Sequence, residues 1–150
     1  MKIWINGCFD VLHHGHFQLI AHAKSLGDEL TIGIDSDRRV KESKGDGRPF
    51  HNQKQRIYNL FQINGVNGIV VFDTDKELSD AIKEYQPDIF VIGEDWGSKP
   101  HNLDVNEYIK KTGKKIIQVR YNSRTSSTKI KELVLAQAKI QTDEITFKFC

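Results

Sequence analysis

The sequence has few of the residues that mark secreted, membrane-spanning or metal-binding proteins. Its two cysteines, Cys8 and Cys150, lie near opposite ends of the chain, so we expect reduced thiols and neither a disulfide framework nor a structural zinc site. No stretch approaches the roughly 20 apolar residues that a membrane helix needs, and the N-terminus lacks the basic-then-apolar pattern of a signal sequence. We therefore expect a cytoplasmic protein that binds no membrane.

Charge of one sign is also lacking. The 22 Lys and Arg residues and 20 Asp and Glu residues give a net charge of +2, too small to recruit nucleic acid over the whole surface. The 3 prolines and 11 glycines are scattered, with no low-complexity run or repeat that would indicate a linker. We expect one domain over residues 1–150, in which any anion is bound by a local cluster of groups.

Short apolar runs alternate with longer stretches of helical periodicity, a pattern typical of parallel strands joined by crossover helices. The predicted strands are residues 2–5, 30–34, 69–72, 89–92 and 116–119. The predicted helices are residues 15–26, 52–63, 75–85, 106–112 and 127–138. Residues 35–49 are predicted as a loop with at most one helical turn, Gly27 as the stop of the first helix, and residues 89–92 as the centre of the sheet. The fold class is α/β, a doubly wound five-stranded parallel sheet, with a tail (139–150) that packs on the body or on a partner subunit.

Ligands of such a sheet bind beyond the carboxyl ends of the strands, where the strand order reverses. Five polar segments should meet there: residues 6–16, 35–51, 73–75, 93–102 and 120–128.

The segment 7–16, GCFDVLHHGH, holds the highest density of residues typical of functional sites. It lies between the first predicted strand and the first predicted helix. A helix N-terminus presents unpaired N–H groups to an anion, and Gly15 lets a phosphate approach the backbone. His13 and His16 share one side of the turn and can donate hydrogen bonds to oxygens on which charge develops. The segment predicts a polyphosphate site, with His14 pointing away from the other two histidines.

Segment 7–16 resembles the GxFDxxHxGH signature of the nucleotidyltransferase superfamily. Segments 44–56, 90–96 (FVIGEDW) and 126–131 (SSTKIK) extend the resemblance over almost the whole chain, most closely to glycerol-3-phosphate cytidylyltransferases. The resemblance implies a Rossmann-like nucleotidyltransferase fold and transfer of CMP from CTP to a small phosphate monoester such as glycerol-3-phosphate, with release of pyrophosphate. It also implies Mg²⁺ as cofactor and a homodimer, with helix 52–63 as a candidate contact.

The resemblance implies a role for each matching residue. The expected catalytic residues are His13, His16, Lys44 and Arg124, and the expected nucleotide-binding residues are Cys8, Phe9, Gly15, Asp95, Trp96, Ser127 and Thr128. Arg56 and Asp37 are expected to bind the acceptor. Lys41 is the alternative to Lys44 for the catalytic lysine. Arg48 is the alternative to Arg56 for the arginine that binds the acceptor. No dedicated metal ligand is expected, because phosphates and water hold most of the magnesium shell; Asp10 is the one plausible carboxylate nearby.

The spacing of Arg124 leaves open which nucleobase the protein prefers. In the glycerol-phosphate branch an arginine precedes the hydroxyl cluster 126–128 by several residues, whereas a shorter spacing like that of Arg124 occurs in adenylyl-transferring and sugar-nucleotide members. Two alternatives therefore stay open: an adenylyltransferase acting on a sugar phosphate or a flavin-like acceptor, and a nucleotide-binding sensor without turnover. A Rossmann dehydrogenase is excluded, because segment 7–16 lacks GxGxxG.

Overall fold

A computed structural model describes residues 1–93, 103–119 and 129–138 of the chain. The strands are β1 (Lys2–Gly7), β2 (Glu29–Asp35), β3 (Gly68–Phe72), β4 (Ile89–Gly93) and β5 (Lys115–Val119). All neighbouring strands are parallel, in the order β3-β2-β1-β4-β5. The predicted five-stranded parallel α/β sheet is confirmed.

Helices connect these strands. They are α1 (His14–Ser25), α2 (Asp37–Lys44), α3 (Gln53–Phe61), α4 (Asp75–Tyr85) and α5 (Leu103–Thr112), and residues 129–138 are also helical. Within the described ranges, no helix combines the length and the apolar character that crossing a membrane requires.

Apolar side chains cover both faces of the sheet, as a doubly wound fold requires. In β1, Ile3 and Ile5 join one buried cluster, which α1 and α3 complete with residues such as Leu19 and Leu60. Trp4 points to the opposite face and packs in a second cluster with residues of α4 and α5. The alternation along β1 is the period-two pattern of a strand buried on both sides.

The centre of the sheet differs from the prediction. β1 occupies the middle of the strand order, and β4 lies between β1 and β5. An apolar run indicates only that a strand lies between two others in the sheet. Three strands of this sheet, β2, β1 and β4, do so. The run in β4 therefore could not show which of them is the middle strand. The order reverses between β1 and β4, and this places the ligand crevice at their carboxyl ends.

The segment after β2 also differs, because residues 37–44 form the helix α2 rather than a loop with one turn. Ser36 caps it by accepting a hydrogen bond from the Arg39 amide, and Arg38 pairs with Glu42 one turn later. The prediction missed this helix because it relied on apolar periodicity, whereas the cap and the ion pair that stabilise α2 come from polar and charged residues. Lys44 consequently lies at the end of a helix.

Gly27 does not act as a left-handed stop. α1 ends at Ser25 with Leu26 as a right-handed C-cap, and a Cβ atom on Gly27 would lie 2.4 Å from the carbonyl oxygen of Met1. Gly27 is therefore required for a close approach to the start of β1.

Candidate active site

The turn between β1 and α1 carries the predicted histidines to the crevice. β1 ends at Gly7 and α1 begins at His14, so residues 8–13 form a short turn at the carboxyl edge of the sheet. Phe9 is buried in the core at 3% exposure, and its ring centroid lies 5.3 Å from that of His16. The core thus fixes the position of the Phe9 ring, against which His16 packs.

His13 and His16 cap α1 reciprocally. The Gly15 amide donates a hydrogen bond to Nδ1 of His13 (3.1 Å), and the His13 amide donates one to Nδ1 of His16 (3.3 Å). A backbone N–H can only donate, so each Nδ1 atom must be unprotonated and each neutral ring carries its proton on Nε2. The capping box thereby assigns the tautomer of both rings and leaves two Nε2–H groups as donors for a ligand.

Burial keeps both rings neutral at physiological pH. It lowers the pKa of His16 to about 4, with the nearby charges of His13 and Lys44 acting in the same direction and Asp10 opposing them. Burial, followed by the charge of His14, also lowers the pKa of His13. The two rings lie with centroids 3.9 Å apart, close enough for both to serve one phosphate group. Neutral imidazoles can donate here without bringing two positive charges together.

Gly15 is required by the cap itself. A Cβ atom at this position would lie 3.0 Å from Cε1 and 3.2 Å from Nδ1 of His13. A side chain would therefore push the capping ring out of place. The glycine in the HxGH segment lets the imidazole and the helix backbone approach each other.

Asp10 is the single carboxylate of the turn 8–13, and its side chain is 0% exposed. It accepts hydrogen bonds from the amides of Phe50 (2.8 Å) and His51 (2.9 Å) and from Nε of Arg48 (3.1 Å). Burial alone would raise the pKa of Asp10, but the bonds from His51, Phe50 and Arg48 outweigh it and hold that pKa below its usual value. Asp10 joins the histidine turn to the loop after α2.

Arg56 is fully buried and bound to protein groups. Its Nη1 donates to the carbonyl oxygens of Cys8 (2.9 Å) and Asp35 (2.7 Å), its Nε to that of His51 (3.1 Å), and its Nη2 to Oδ1 of Asp37 (2.9 Å). These contacts favour a positioning role over the predicted clamp on an acceptor phosphate, which stays a prediction. They also hold Asp37, whose side chain is 41% exposed, at the carboxyl edge.

Arg48, the other arginine weighed for the acceptor, is bound less completely. Its guanidinium lies 4.9 Å from the Phe50 ring centroid. Its Nη2 atom is buried and has no hydrogen-bond partner in the part of the chain that the structure describes. The sequence offered no signal for this difference between Arg48 and Arg56, because both are isolated arginines in polar surroundings.

Lys44 lies near the turn. It is exposed at the end of α2, and its charge acts on both His16 and Cys8. Burial raises the pKa of the half-buried Cys8 thiol, while the charges of Lys44 and Arg56 oppose that rise. Lys41, the predicted alternative, instead pairs with Asp46 at 3.5 Å.

Sequence reasoning missed a second charged cluster, at the carboxyl ends of β2 and β3. Arg39 lies 2.7 Å from carboxylate oxygens of both Asp35 and Asp75. Arg38 pairs with Asp73, which also accepts a hydrogen bond from Ser36. These pairs join the start of α2 to the neighbouring strand end. In the sequence these arginines appeared only as consecutive charged residues of a predicted loop, a pattern that does not predict ion pairs with a neighbouring strand.

The helix over residues 129–138 reaches the same rim. Nζ of Lys131 lies 5.6 Å from the ring centroid of Phe50, in the loop that Asp10 holds. Asp95, Trp96, Arg124, Ser127 and Thr128 lie outside the described residues, as does the tail 139–150.

Metal ligation by protein groups finds no support in the described ranges, where no three His, Cys, Asp or Glu side chains are grouped to hold an ion. Asp10, the carboxylate weighed for magnesium, already has both oxygens bound to donors. It does not fit a metal ligand in this geometry.

Comparison with curated proteins yields relatives named Bifunctional protein HldE. The chain is 35% identical over 128 residues to the protein from Desulfatibacillum aliphaticivorans, which is 85% of this chain and 26% of that one. It is 37% identical over 129 residues to the protein from Helicobacter acinonychis, which is 86% of this chain and 27% of that one. The chain thus spans about a quarter of the length of these relatives.

Solved structures share the fold. The lipopolysaccharide core biosynthesis protein from Thermoplasma volcanium GSS1 aligns with a TM-score of 0.64 at 22% identity, covering 83% of this chain and 98% of that one. Pantothenate synthetase from Thermus thermophilus aligns with a TM-score of 0.55 at 14% identity, covering 79% of this chain and 55% of that one. At these identities the similarity establishes the Rossmann-like architecture alone.

The sequence profile of the Cytidylyltransferase-like family matches residues 4–133, which include the histidine turn, α2 and nearly all of the five-stranded sheet. The predicted superfamily is confirmed, whereas the glycerol-3-phosphate branch within it is not specifically supported. The chain belongs to the Cytidylyltransferase-like family of the nucleotidyltransferase superfamily.

Proposed function

We propose that the protein transfers a nucleotidyl group from a nucleoside triphosphate to a small phosphate monoester and releases pyrophosphate. Our first candidate is transfer of CMP from CTP to an acceptor such as glycerol-3-phosphate. The observation that carries this proposal is the reciprocal cap, because it leaves two Nε2–H donors with ring centroids 3.9 Å apart at a helix N-terminus. Such a site suits the triphosphate of a nucleotide.

The reaction needs no nucleophile from the protein. An oxygen of the acceptor phosphate attacks the α-phosphorus in line, the bond from that phosphorus to the bridging oxygen breaks, and pyrophosphate leaves with the bond electrons. The enzyme must align the two substrates and stabilise charge on the bridging and non-bridging oxygens.

The donors near the turn match this task. His13 and His16 donate through Nε2 to oxygens on which charge develops, and neutral rings can do so without a proton transfer. The Lys44 ammonium, exposed at the end of α2, would contact the phosphates once substrate is bound. Arg124 is our proposed fourth catalytic group.

For the nucleotide we propose contacts from the turn and from two later segments. These residues are Cys8, Phe9, Gly15, Asp95, Trp96, Ser127 and Thr128. For the acceptor we propose that Asp37 accepts hydrogen bonds from its hydroxyl groups. The ion pair with Arg56 supports this assignment, because it holds the carboxylate at the carboxyl edge of the sheet.

Mg²⁺ is proposed as the companion of the triphosphate. When bound it would neutralise the outgoing pyrophosphate, held by phosphate oxygens and water. We assign no protein ligand to it, because the oxygens of Asp10 are bound to the loop after α2.

A second candidate is adenylyl transfer from ATP to a sugar phosphate. Two observations favour it: Arg124 lies only three residues before Ser127, and the curated relatives carry the name HldE rather than that of a glycerol-3-phosphate cytidylyltransferase. The phosphate chemistry is the same in both candidates, so they differ only in the base and the acceptor.

A panel of substrates decides between the candidates. The protein is incubated with each of the four nucleoside triphosphates and with glycerol-3-phosphate or hexose and heptose phosphates, and pyrophosphate release and product mass are measured. CTP-dependent formation of a CDP-linked product supports the first candidate, and ATP-dependent formation of an ADP-linked sugar supports the second. Nucleotide binding without pyrophosphate release in every pairing would contradict both and favour a sensor.

We further propose a cytoplasmic homodimer in which α3 contributes to the contact. Support comes from two large side chains of this helix that are exposed, Tyr58 at 66% and Phe61 at 49%. Light scattering of the protein and of a Tyr58→Glu, Phe61→Glu variant tests this, with a twofold lower mass expected for the variant.

A further inference from the structure

Asp10 lies between two residues with an unusual backbone. Phe9 and Val11 have φ angles of 51° and 52°, a region that side chains with a Cβ atom rarely adopt and that is exceptional for a β-branched valine. Residues in such a conformation persist only where surrounding contacts hold them. The contacts of Asp10 are therefore placed to maintain the turn that ends in His13.

These contacts reach across to another part of the chain. The Asp10 carboxylate accepts from Arg48, Phe50 and His51, which lie in the loop between α2 and α3, about 40 residues further along the chain. A fully buried carboxylate that accepts several hydrogen bonds makes strong, charge-assisted contacts. Asp10 thus ties the histidine turn to the loop that follows Lys44.

The beginning of this loop has little else to hold it. A Cβ atom on Gly45 or Gly47 would meet nothing within 4 Å. The ion pair between Lys41 and Asp46 is exposed on both sides, so it contributes little. In the described structure the loop is anchored at its second half, where Asp10 holds residues 48–51 and Arg56 donates to the His51 carbonyl.

We propose that Asp10 is a positioning residue that holds the imidazole pair and the Lys44 segment in one geometry. The proposal rests on the catalytic roles proposed above for the histidines and Lys44, since Asp10 acts through them and needs no contact with substrate. A displacement of about 1 Å of a group that acts in the transition state is costly, so a loosened anchor lowers kcat more than it raises KM.

The anchoring is tested without any activity. Asp10→Asn replaces one acceptor oxygen with an NH₂ group that faces N–H donors. The amides of Phe50 and His51 bind different oxygens of Asp10, so at least one of them should exchange hydrogen at least about tenfold faster in this variant, because a buried donor loses its acceptor. Asp80→Asn, at an ion-paired aspartate of α4, is the matched control and should leave these rates unchanged. Unaltered exchange of both amides in Asp10→Asn would overturn the proposal.

The functional link is tested with a double-mutant cycle. Asp10→Asn should lower kcat about tenfold to a hundredfold in the wild-type background and several times less in a Lys44→Ala background, because coupled residues are not additive. An equal loss in both backgrounds would contradict the proposal that Asp10 holds the Lys44 segment in place. If the wild-type protein transfers no nucleotidyl group, the proposed function fails while the exchange experiment still decides the anchoring.

A second variant covers a failure of Asp10→Asn to fold. Arg48→Met removes the N–H donor of Arg48 and leaves the Asp10 carboxylate with its two amide partners. Because the loop is then tied to Asp10 by one bond fewer, it should open more often, and the Phe50 and His51 amides should exchange faster than in the wild type. Rates equal to those of the wild type would count against the proposal.

Discussion

In the turn after β1, two imidazoles take the places that a hydroxyl and a longer polar side chain occupy in an ordinary capping box. Each ring uses Nδ1 for the helix and keeps Nε2–H for a ligand. The helix cap and the proposed catalytic donors are therefore two sides of the same residues. A substitution at either histidine changes both.

His16→Ala should lower kcat at least about a hundredfold, because it removes a donor that acts on developing charge. The measurement is steady-state pyrophosphate release, with circular dichroism to check the fold. His14→Ala is the matched control, since His14 is exposed and its side chain takes no part in the capping box; it should retain most of the activity. A near-normal kcat for His16→Ala would refute the role of that ring.

The depressed pKa of His16 predicts a loss of stability in acid. Between the ordinary histidine value of 6.5 and about 4, the unfolded chain binds a proton at this residue that the folded protein does not. As the pH is lowered from 6.5 to about 4, the contribution of His16 to the free energy of unfolding should therefore decrease, by at most about 1.4 kcal/mol per pH unit. Urea unfolding at several pH values, compared with His16→Gln, measures it; identical pH dependence in the two proteins would contradict the assignment.

At the level of the secondary-structure element, α2 matters because it carries Lys44. Only Val40 of this eight-residue helix is buried, so the helix gains little from packing and depends on its cap and its ion pairs. Ser36 supplies the cap and also donates a hydrogen bond to Asp73. The position of Lys44 therefore depends on contacts at the opposite end of its helix.

Ser36→Ala should destabilise the protein by about 1–2 kcal/mol and lower kcat severalfold, because α2 loses its start. Thr74→Ala is the matched control, since Thr74 caps α4 in the same way by accepting from the Glu77 amide. It should cost a similar free energy of unfolding and leave kcat unchanged. The two variants are compared by denaturant unfolding and initial rates, and an equal effect on kcat would argue against a role of α2 in the site.

At the level of the whole molecule, Arg56 connects parts of the chain that are far apart in sequence. One guanidinium bonds to the turn after β1, the end of β2, the start of α2 and the loop before α3. A buried arginine with several acceptors is a poor candidate for replacement by lysine, whose ammonium is a compact charge without the planar array of donors.

Arg56→Lys should lower the free energy of unfolding by about 2–4 kcal/mol, since several buried acceptors lose their donors. Arg38→Lys, at an arginine that is 53% exposed, should change it by less than about 1 kcal/mol. Unfolding curves are combined with KM for the acceptor. A raised KM with unchanged stability would instead support the acceptor clamp that the family resemblance implies.

Local patterns were sufficient for the strands and for most helices, whereas the phosphate site at the histidine turn stays a prediction. Alternating apolar runs predicted the parallel sheet, and the HxGH segment at a strand-to-helix junction predicted a phosphate-binding turn, because both depend on residues adjacent in sequence. The same reasoning missed α2, whose cap and ion pairs are carried by polar residues, and it placed β4 at the centre of the sheet that β1 occupies.

The sequence by itself determined the fold class, the family and the chemical types gathered at the carboxyl edge, because periodicity and motifs are properties of short segments. Only the tertiary structure decided which groups are already engaged. The oxygens of Asp10 and most donors of Arg56 meet partners about 20 to 50 residues away. Hydrogen bonds over such separations depend on the arrangement of the strands, and so does the difference between a residue that is free to meet a substrate and one that holds the site in place.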